Sequence, residues 1–182
     1  MQIKSLLFAV SLTATTTALP ATHSETFGIV AIHSGSDVQY SSFNAAKSSI
    51  FAGLKKQDAS CARPKEQDAT FYIQNGALFL YDTSATPQEI YVDRSGMGQG
   101  VIGYTTGAQG APKYSERKGW TMKDGHLQFA GDDLIACPNS IDGAWSIWAS
   151  AGVANPGGNK NCVGVAARVE KTSNPNGCLY TE

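Results

Sequence analysis

The chain carries little charge, and its charges are not concentrated anywhere. Lys and Arg together number 14 of the 182 residues, Asp and Glu number 15, and the formal net charge is −1. A nucleic-acid-binding domain needs a basic patch to meet the phosphate backbone, and the sequence has none. A near-neutral chain is also attracted only weakly to an anionic membrane surface. The composition therefore predicts neither nucleic acid nor a lipid surface as a partner.

Long apolar runs are missing, and the most continuous one lies at the start of the chain. Lys4 precedes an apolar stretch at 6–12, and small residues follow over 13–18. This stretch is too short to span a bilayer, but its length and order are typical of a secretory signal peptide. We expect residues 1–18 to be removed near Ala18, which leaves 19–182 as a single mature domain.

Anchoring and N-glycosylation signals are missing as well. The final segment NPNGCLYTE is polar and lacks the hydrophobic tail of a GPI-anchor signal. Neither Asn139 nor Asn174 begins an Asn-x-Ser/Thr sequon, whereas the Ser and Thr residues allow O-linked glycosylation. We expect a secreted polypeptide with no membrane anchor.

Cysteine is scarce, and no pair of cysteines has the CxxC spacing of a zinc site. An even number of cysteines in a secreted chain favours two disulfides among Cys61, Cys137, Cys162 and Cys178. Three pairings are possible. We favour Cys61–Cys137 with Cys162–Cys178, because the second bond would close a segment rich in Gly, Asn and Pro.

Helical periodicity is almost absent. Apolar residues occur in short, mostly alternating runs such as FYIQ, ALFLY, EIYV and VIGYTT between residues 71 and 106. Asn-Gly and Asp-Gly pairs separate several runs, as expected for hairpin turns that need positive φ. Only 44–56 has helical spacing, and we favour a strand there at Ser48–Leu54. The pattern predicts an all-β protein.

A weak internal repeat bears on how the strands are arranged. FYIQNGALFLY at 71–81 and WTMKDGHLQFA at 120–130 share an aromatic residue, a turn glycine and a leucine two positions later. Duplicated hairpins of this kind favour an antiparallel two-sheet β-sandwich. A three-part β-trefoil-like fold, opened by FGIVAIHS at 27–34, is the alternative.

The stretch DRSGMGQGVIGYTTG at 93–107 contains a GxGxxG pattern. In a dinucleotide site these glycines open a helix whose N-terminal amides hold the pyrophosphate. Here β-branched and aromatic residues follow, which predicts a strand. We therefore expect a turn between two strands, no nucleotide cofactor, and positive φ at one or more of Gly96, Gly98 and Gly100.

Signatures of catalysis are lacking. No GxSxG motif is present, and the three histidines have no metal-ligand spacing, so we expect no metal or other cofactor. A glycosidase would need two facing carboxylates, and four aspartates do fall near the third hairpin. Each lies beside a turn signal, where Asp commonly bonds its own backbone. These aspartates are Asp124, Asp132, Asp133 and Asp142. The sequence predicts no catalytic residue and no enzyme.

Three residues are candidates for contact with a glycan or a protein partner. In AWSIWAS, alternation directs Trp145 inward and Trp148 to the more polar face, where an indole can stack on a sugar ring. Burial of Trp148 under a loop is the alternative. Asp93 and Arg94 flank the glycine turn, where they could contact a partner, pair with each other or cap the turn.

Several segments together resemble the fungal PhiA family of secreted cell-wall proteins. They include FGIVAIHSGSDVQYSSFNA, ATFYIQNGALFLYD, GWTMKDGHLQFAGDDLIACP and, most specifically, VDRSGMGQGVIGYTTG. The resemblance extends over essentially the whole mature chain. It implies a location in the wall, a role in forming phialides and conidia, and no catalytic residue. The expected partners are wall polysaccharide or other wall proteins. A secreted carbohydrate-binding or weakly carbohydrate-active domain is the alternative.

Overall fold

The computed structural model describes residues 25–84 and 86–182, so the expected signal peptide lies outside the described residues. This part of the chain is built from fifteen β-strands and two short 3-10 turns, Ile141–Gly143 and Pro156–Gly158. It contains no helix long and apolar enough to cross a lipid bilayer. The all-β prediction is confirmed. The strands are β1 Thr26–Ile32, β2 Phe43–Ala46, β3 Ser49–Ala52, β4 Ser60–Cys61, β5 Phe71–Gln74, β6 Ala77–Leu80, β7 Gln88–Asp93, β8 Val101–Thr106, β9 Ser115–Glu116, β10 Trp120–Lys123, β11 His126–Phe129, β12 Leu134–Cys137, β13 Trp145–Ala149, β14 Val163–Lys171 and β15 Cys178–Leu179.

Nine of these strands form a closed antiparallel barrel. Their order is β1-β5-β6-β7-β8-β3-β13-β12-β14, and β14 pairs back with β1 from Phe27 opposite Lys171 to Ile32 opposite Ala166. The expected two-sheet sandwich is therefore wrong, and the closed ring also replaces the β-trefoil alternative. A sandwich and a barrel require the same alternation along each strand. The pairing of β1 with β14 distinguishes them, and it joins the first barrel strand in the chain to the last.

Inward-facing side chains fill the barrel. Along β1, for example, Phe27, Ile29 and Ala31 are buried, while the residues between them are partly accessible. The space left among the apolar side chains of the core amounts to a cavity of about 10 Å³. This is near the minimum needed for one water molecule. The interior formed by these strands is a packed core.

Both repeated segments form the expected tight hairpins. Asn75 and Gly76 join β5 to β6, and Asp124 and Gly125 join β10 to β11, all four with positive φ. The hairpin of β10 and β11 extends from β14. It adds Trp120 to the core, where its ring meets Phe129 edge-on at 4.9 Å between centroids.

The C-terminal residues are held at the end of the barrel where β7 begins. Gln88 is fully buried, and its side chain donates to the Tyr180 carbonyl at 3.0 Å and accepts from the Tyr180 amide at 2.8 Å. The Tyr180 hydroxyl accepts from the Thr70 amide, and the Tyr104 hydroxyl donates to the Thr181 carbonyl. A buried amide side chain thus pairs with backbone that would otherwise lack partners.

The two disulfides are Cys61–Cys178 and Cys137–Cys162. Two disulfides were expected, but the favoured pairing was wrong. Cys61 and Cys178 lie opposite each other in the small sheet of β4 and β15. Cys162 directly precedes β14, a nine-residue strand that spans about 30 Å and carries the chain away before Cys178 is reached. Val163 pairs instead with Ala136, which places Cys162 beside Cys137.

Candidate functional site at the turn between β7 and β8

The glycine-rich stretch is a compact turn between two strands, as expected. Asp93 ends β7, and its backbone carbonyl accepts from the Gly100 amide at 2.8 Å. Its carboxylate accepts from the Ser95 amide at 2.9 Å. The Ser95 carbonyl in turn accepts from the Gln99 amide at 2.8 Å. Asp93 therefore caps the turn.

Glycine is required here for close backbone approach. Gly100 has φ +97°, and a Cβ at this position would overlap the carbonyl oxygen of Ala149. A Cβ on Gly98 would overlap Asp93, whereas a Cβ on Gly96 would meet nothing within 4 Å. The expectation of positive φ among these glycines is confirmed at Gly100. The turn leads into β8, so the GxGxxG pattern lacks the helix of a dinucleotide site.

Arg94 pairs with Glu116 rather than with Asp93. Its Nε and Nη2 atoms each donate to one carboxylate oxygen of Glu116 at 2.8 Å, and its guanidinium carbon lies 5.2 Å from the centroid of the Phe129 ring. The hydrogen bonds between Arg94 and Glu116 raise the pKa of the guanidinium and lower that of the carboxyl, so both groups stay charged. The two hydrogen bonds thereby fix the orientation of the guanidinium.

An open depression lies beside this ion pair. Arg94, Ser95, Tyr114, Glu116 and Ala151 line it. Tyr114 is 62% exposed, an unusually accessible position for a large aromatic side chain. Neither Tyr114 nor Glu116 was expected from the sequence to be a contact residue. The available signal was a single aromatic residue in the polar, Gly- and Pro-bearing segment GAPKYSERK.

Asp93 and Trp148 lie on the same outer surface. Asp93 pairs with Val101, and Val101 pairs with Trp148, so the three residues form a row across β7, β8 and β13. Their neighbours Val92, Ile102 and Ile147 are buried in the core, which places the row on the outside. The structure thus places two of the three candidate contact residues, Trp148 and Asp93, on one outer face. Arg94 lies with Glu116 on the opposite face, because Glu116 pairs with the buried Val92.

Trp148 is half-buried, between the two environments considered from the sequence. Its Nε1 atom donates to the Ser146 hydroxyl at 3.0 Å, and its six-membered ring lies directly against Gly157. The Gly157 amide donates to the Gln99 side chain at 2.8 Å. The turn Pro156–Gly158 therefore covers part of Trp148 and is tied to the turn between β7 and β8.

The other candidates have local structural roles. His33 Nδ1 lies 2.6 Å from the Gly164 carbonyl oxygen, and His23 lies outside the described residues. Asp124 and Asp142 occupy turns with positive φ, and Asp133 accepts from Gln128 at 2.9 Å. In the part of the chain that the structure describes, no three His, Cys, Asp or Glu side chains form a metal-binding group.

Comparison with known proteins identifies the family. The sequence model of the family described as PhiA-like secreted protein matches residues 27–181. The chain belongs to this family. Several relatives bear the name cell wall protein phiA. The one from Aspergillus fumigatus is 69% identical over 100% of both chains, the one from Aspergillus niger is 66% identical over 100% of this chain and 99% of the relative, and the one from Emericella nidulans is 62% identical over 100% of both. No solved structure matches the chain. The chain is accordingly a secreted protein of the fungal cell wall.

Proposed function

We propose that residues 19–182 are the mature form of a non-enzymatic wall component that supports phialide and conidium development and wall integrity. The observation that carries the proposal is the full-length similarity to relatives named cell wall protein phiA. The packed barrel supports it, because the cavity of about 10 Å³ leaves no room for a substrate inside the core. Contact with the wall then uses the outer surface.

The architecture suits long residence outside the cell. The nine barrel strands pair in a closed ring, which leaves none of them as a free edge for aggregation. Two disulfides and the clamp of Gln88 on Tyr180 fasten distant parts of the chain. In this proposal, wall polysaccharide or other wall proteins hold the rigid barrel non-covalently, without a membrane anchor.

The test is deletion of the gene in the source fungus, followed by reintroduction. We expect the deletion strain to form fewer or misshapen phialides and conidia, and the reintroduced chain to restore them. Normal spore heads in the deletion strain would contradict the developmental role. Reducing-sugar release from wall polysaccharide by the purified protein, abolished in Asp132→Asn or Asp133→Asn, would contradict the non-enzymatic role.

Carbohydrate binding is the second candidate function, and one observation favours it. The exposed ring of Tyr114 lines the same depression as the Arg94–Glu116 pair. An aromatic face beside planar hydrogen-bonding groups is chemistry that fits a sugar. Carbohydrate binding is compatible with the wall role, since it would supply the means of retention.

A further inference from the structure

We infer that the depression beside the turn between β7 and β8 binds a neutral polysaccharide chain. In this arrangement the Tyr114 ring stacks on one sugar, and the Arg94–Glu116 pair bonds neighbouring hydroxyls. The inference rests on the proposed wall function for the source of the ligand. Hydrogen-bonding capacity, charge and the exposed ring of Tyr114 support the site itself.

The ion pair keeps donors and acceptors available side by side. A guanidinium has five N–H groups, and Glu116 engages two of those of Arg94. Among the described residues Arg94 has no other hydrogen-bond acceptor, so three N–H groups remain for a ligand. Each Glu116 oxygen accepts one bond from Arg94 and retains a further lone pair. Adjacent sugar hydroxyls, which both donate and accept, match this combination.

The charges favour a neutral ligand over an anion. Arg94 and Lys113 are the cations at the depression, while Glu116 holds Arg94, and Asp93 and Asp132 act on the pair electrostatically. An incoming carboxylate or phosphate would meet the negative charge of Glu116 and of two further carboxylates, Asp93 and Asp132. A hydroxyl-rich neutral polymer binds without separating the ion pair.

Tyr114 supplies the apolar part of the site. Its ring is exposed, and the Lys113 ammonium lies 5.3 Å from the ring centroid. A cation at an exposed ring is held weakly, so it gives way easily to a sugar. The C–H face of a pyranose packs on an aromatic ring by the same apolar and dispersion forces that operate in a protein core.

The depression opens at the end of the barrel. Glu116 pairs with Val92, which is buried, and the guanidinium of Arg94 lies over the buried ring of Phe129. Because paired residues direct their side chains to the same face of a sheet, Arg94 and Glu116 lie on the face opposite to Asp93 and Trp148. The polysaccharide therefore contacts Tyr114 and the ion pair and does not extend to Trp148.

The experiment measures binding of the purified, disulfide-bonded protein to insoluble β-1,3-glucan and chitin, with a polygalacturonate gel as the anionic comparison. We expect the parent to sediment with at least one neutral polymer. Tyr114→Ala should bind roughly fivefold more weakly because the stacking ring is lost. Tyr114→Phe keeps the ring and should bind like the parent. Glu116→Gln should weaken binding because it releases Arg94.

Tyr40→Ala is the matched control, since Tyr40 is 68% exposed and does not line the depression. Equal binding of Tyr114→Ala and Tyr40→Ala would overturn the inference. So would preference for polygalacturonate, or failure of the parent to bind either neutral polymer. Failure to bind together with a developmental defect on gene deletion would refute this inference alone. Binding without a defect would refute the developmental role and leave the site standing.

Discussion

Asp93 is held by hydrogen bonds to the backbone of the adjacent turn. Its carboxylate accepts from the Ser95 amide and its carbonyl accepts from the Gly100 amide. Asp93 therefore stabilises the turn and does not pair with Arg94. Arg94 then reaches Glu116, which comes from β9. The sequence identified both residues and the turn, but it gave no means of choosing the partner of Arg94. That choice depends on β9 pairing beside β7.

Substitution of the turn glycines tests the close approach of the backbone. Gly100→Ala should lower the free energy of unfolding by about 2 kcal/mol or more, because φ is positive and the new Cβ meets the Ala149 carbonyl. Gly98→Ala should also destabilise the fold through overlap with Asp93. Gly96→Ala is the control, and we expect a change within about 0.5 kcal/mol. Urea unfolding of the three variants gives the comparison. Equal stability of Gly96→Ala and Gly100→Ala would contradict the tight contact.

At the scale of elements, local chemistry predicted more than the global arrangement. Alternation and the Asn-Gly and Asp-Gly turns identified β5, β6, β10 and β11 together with their hairpins, because these features depend on adjacent residues. The preference for a strand at Ser48–Leu54 was also correct, since β3 lies there. The disulfide pairing failed because it depends on which strands become neighbours. Proximity in sequence was misleading where β14 intervenes between Cys162 and Cys178.

The disulfides should differ in their effect on stability. Replacing Cys61 and Cys178 by Ser opens a loop of 117 residues, and replacing Cys137 and Cys162 opens one of 25. In the chain-entropy description these changes cost about 5 and about 3.5 kcal/mol. Non-reducing peptide mapping of the parent should recover the two corresponding linked peptides. A Cys61–Cys137 peptide in that map, or greater destabilisation from loss of Cys137–Cys162, would be the contrary result.

At the scale of the whole molecule, closure of the sheet was the feature least accessible to sequence reasoning. The strands with the clearest alternation, β1 and β7, would show the same alternation in either architecture. Only the pairing of Phe27–Ile32 with Ala166–Lys171 makes a barrel. The candidate site shows the same limit. Arg94 was identified from the sequence, whereas Tyr114 and Glu116 become its neighbours only when β9 pairs with β7.

The buried tyrosines Tyr104 and Tyr180, which hold the C-terminal residues, should make the stability of the fold sensitive to alkali. Burial raises the pKa of Tyr180 to about 12 and also raises the pKa of Tyr104. An unfolded tyrosine ionises near pH 10, so above that pH the unfolded chain releases protons that the folded chain retains. The stabilisation that the two protonated phenols give to the folded state is therefore complete below about pH 10 and is lost as pH rises toward 12.

Thermal unfolding between pH 8 and pH 12 tests this sensitivity. Tyr104→Phe should be less stable by about 1 kcal/mol at pH 8, because it loses the hydrogen bond to Thr181. It should then lose less stability than the parent as pH rises, because one of the two buried phenols is gone. Tyr40→Phe, altered at an exposed site, should follow the parent throughout. If the thermal stability of Tyr104→Phe fell with pH in parallel with that of the parent, ionisation of the Tyr104 phenol would not be a cause of the loss of stability in alkali.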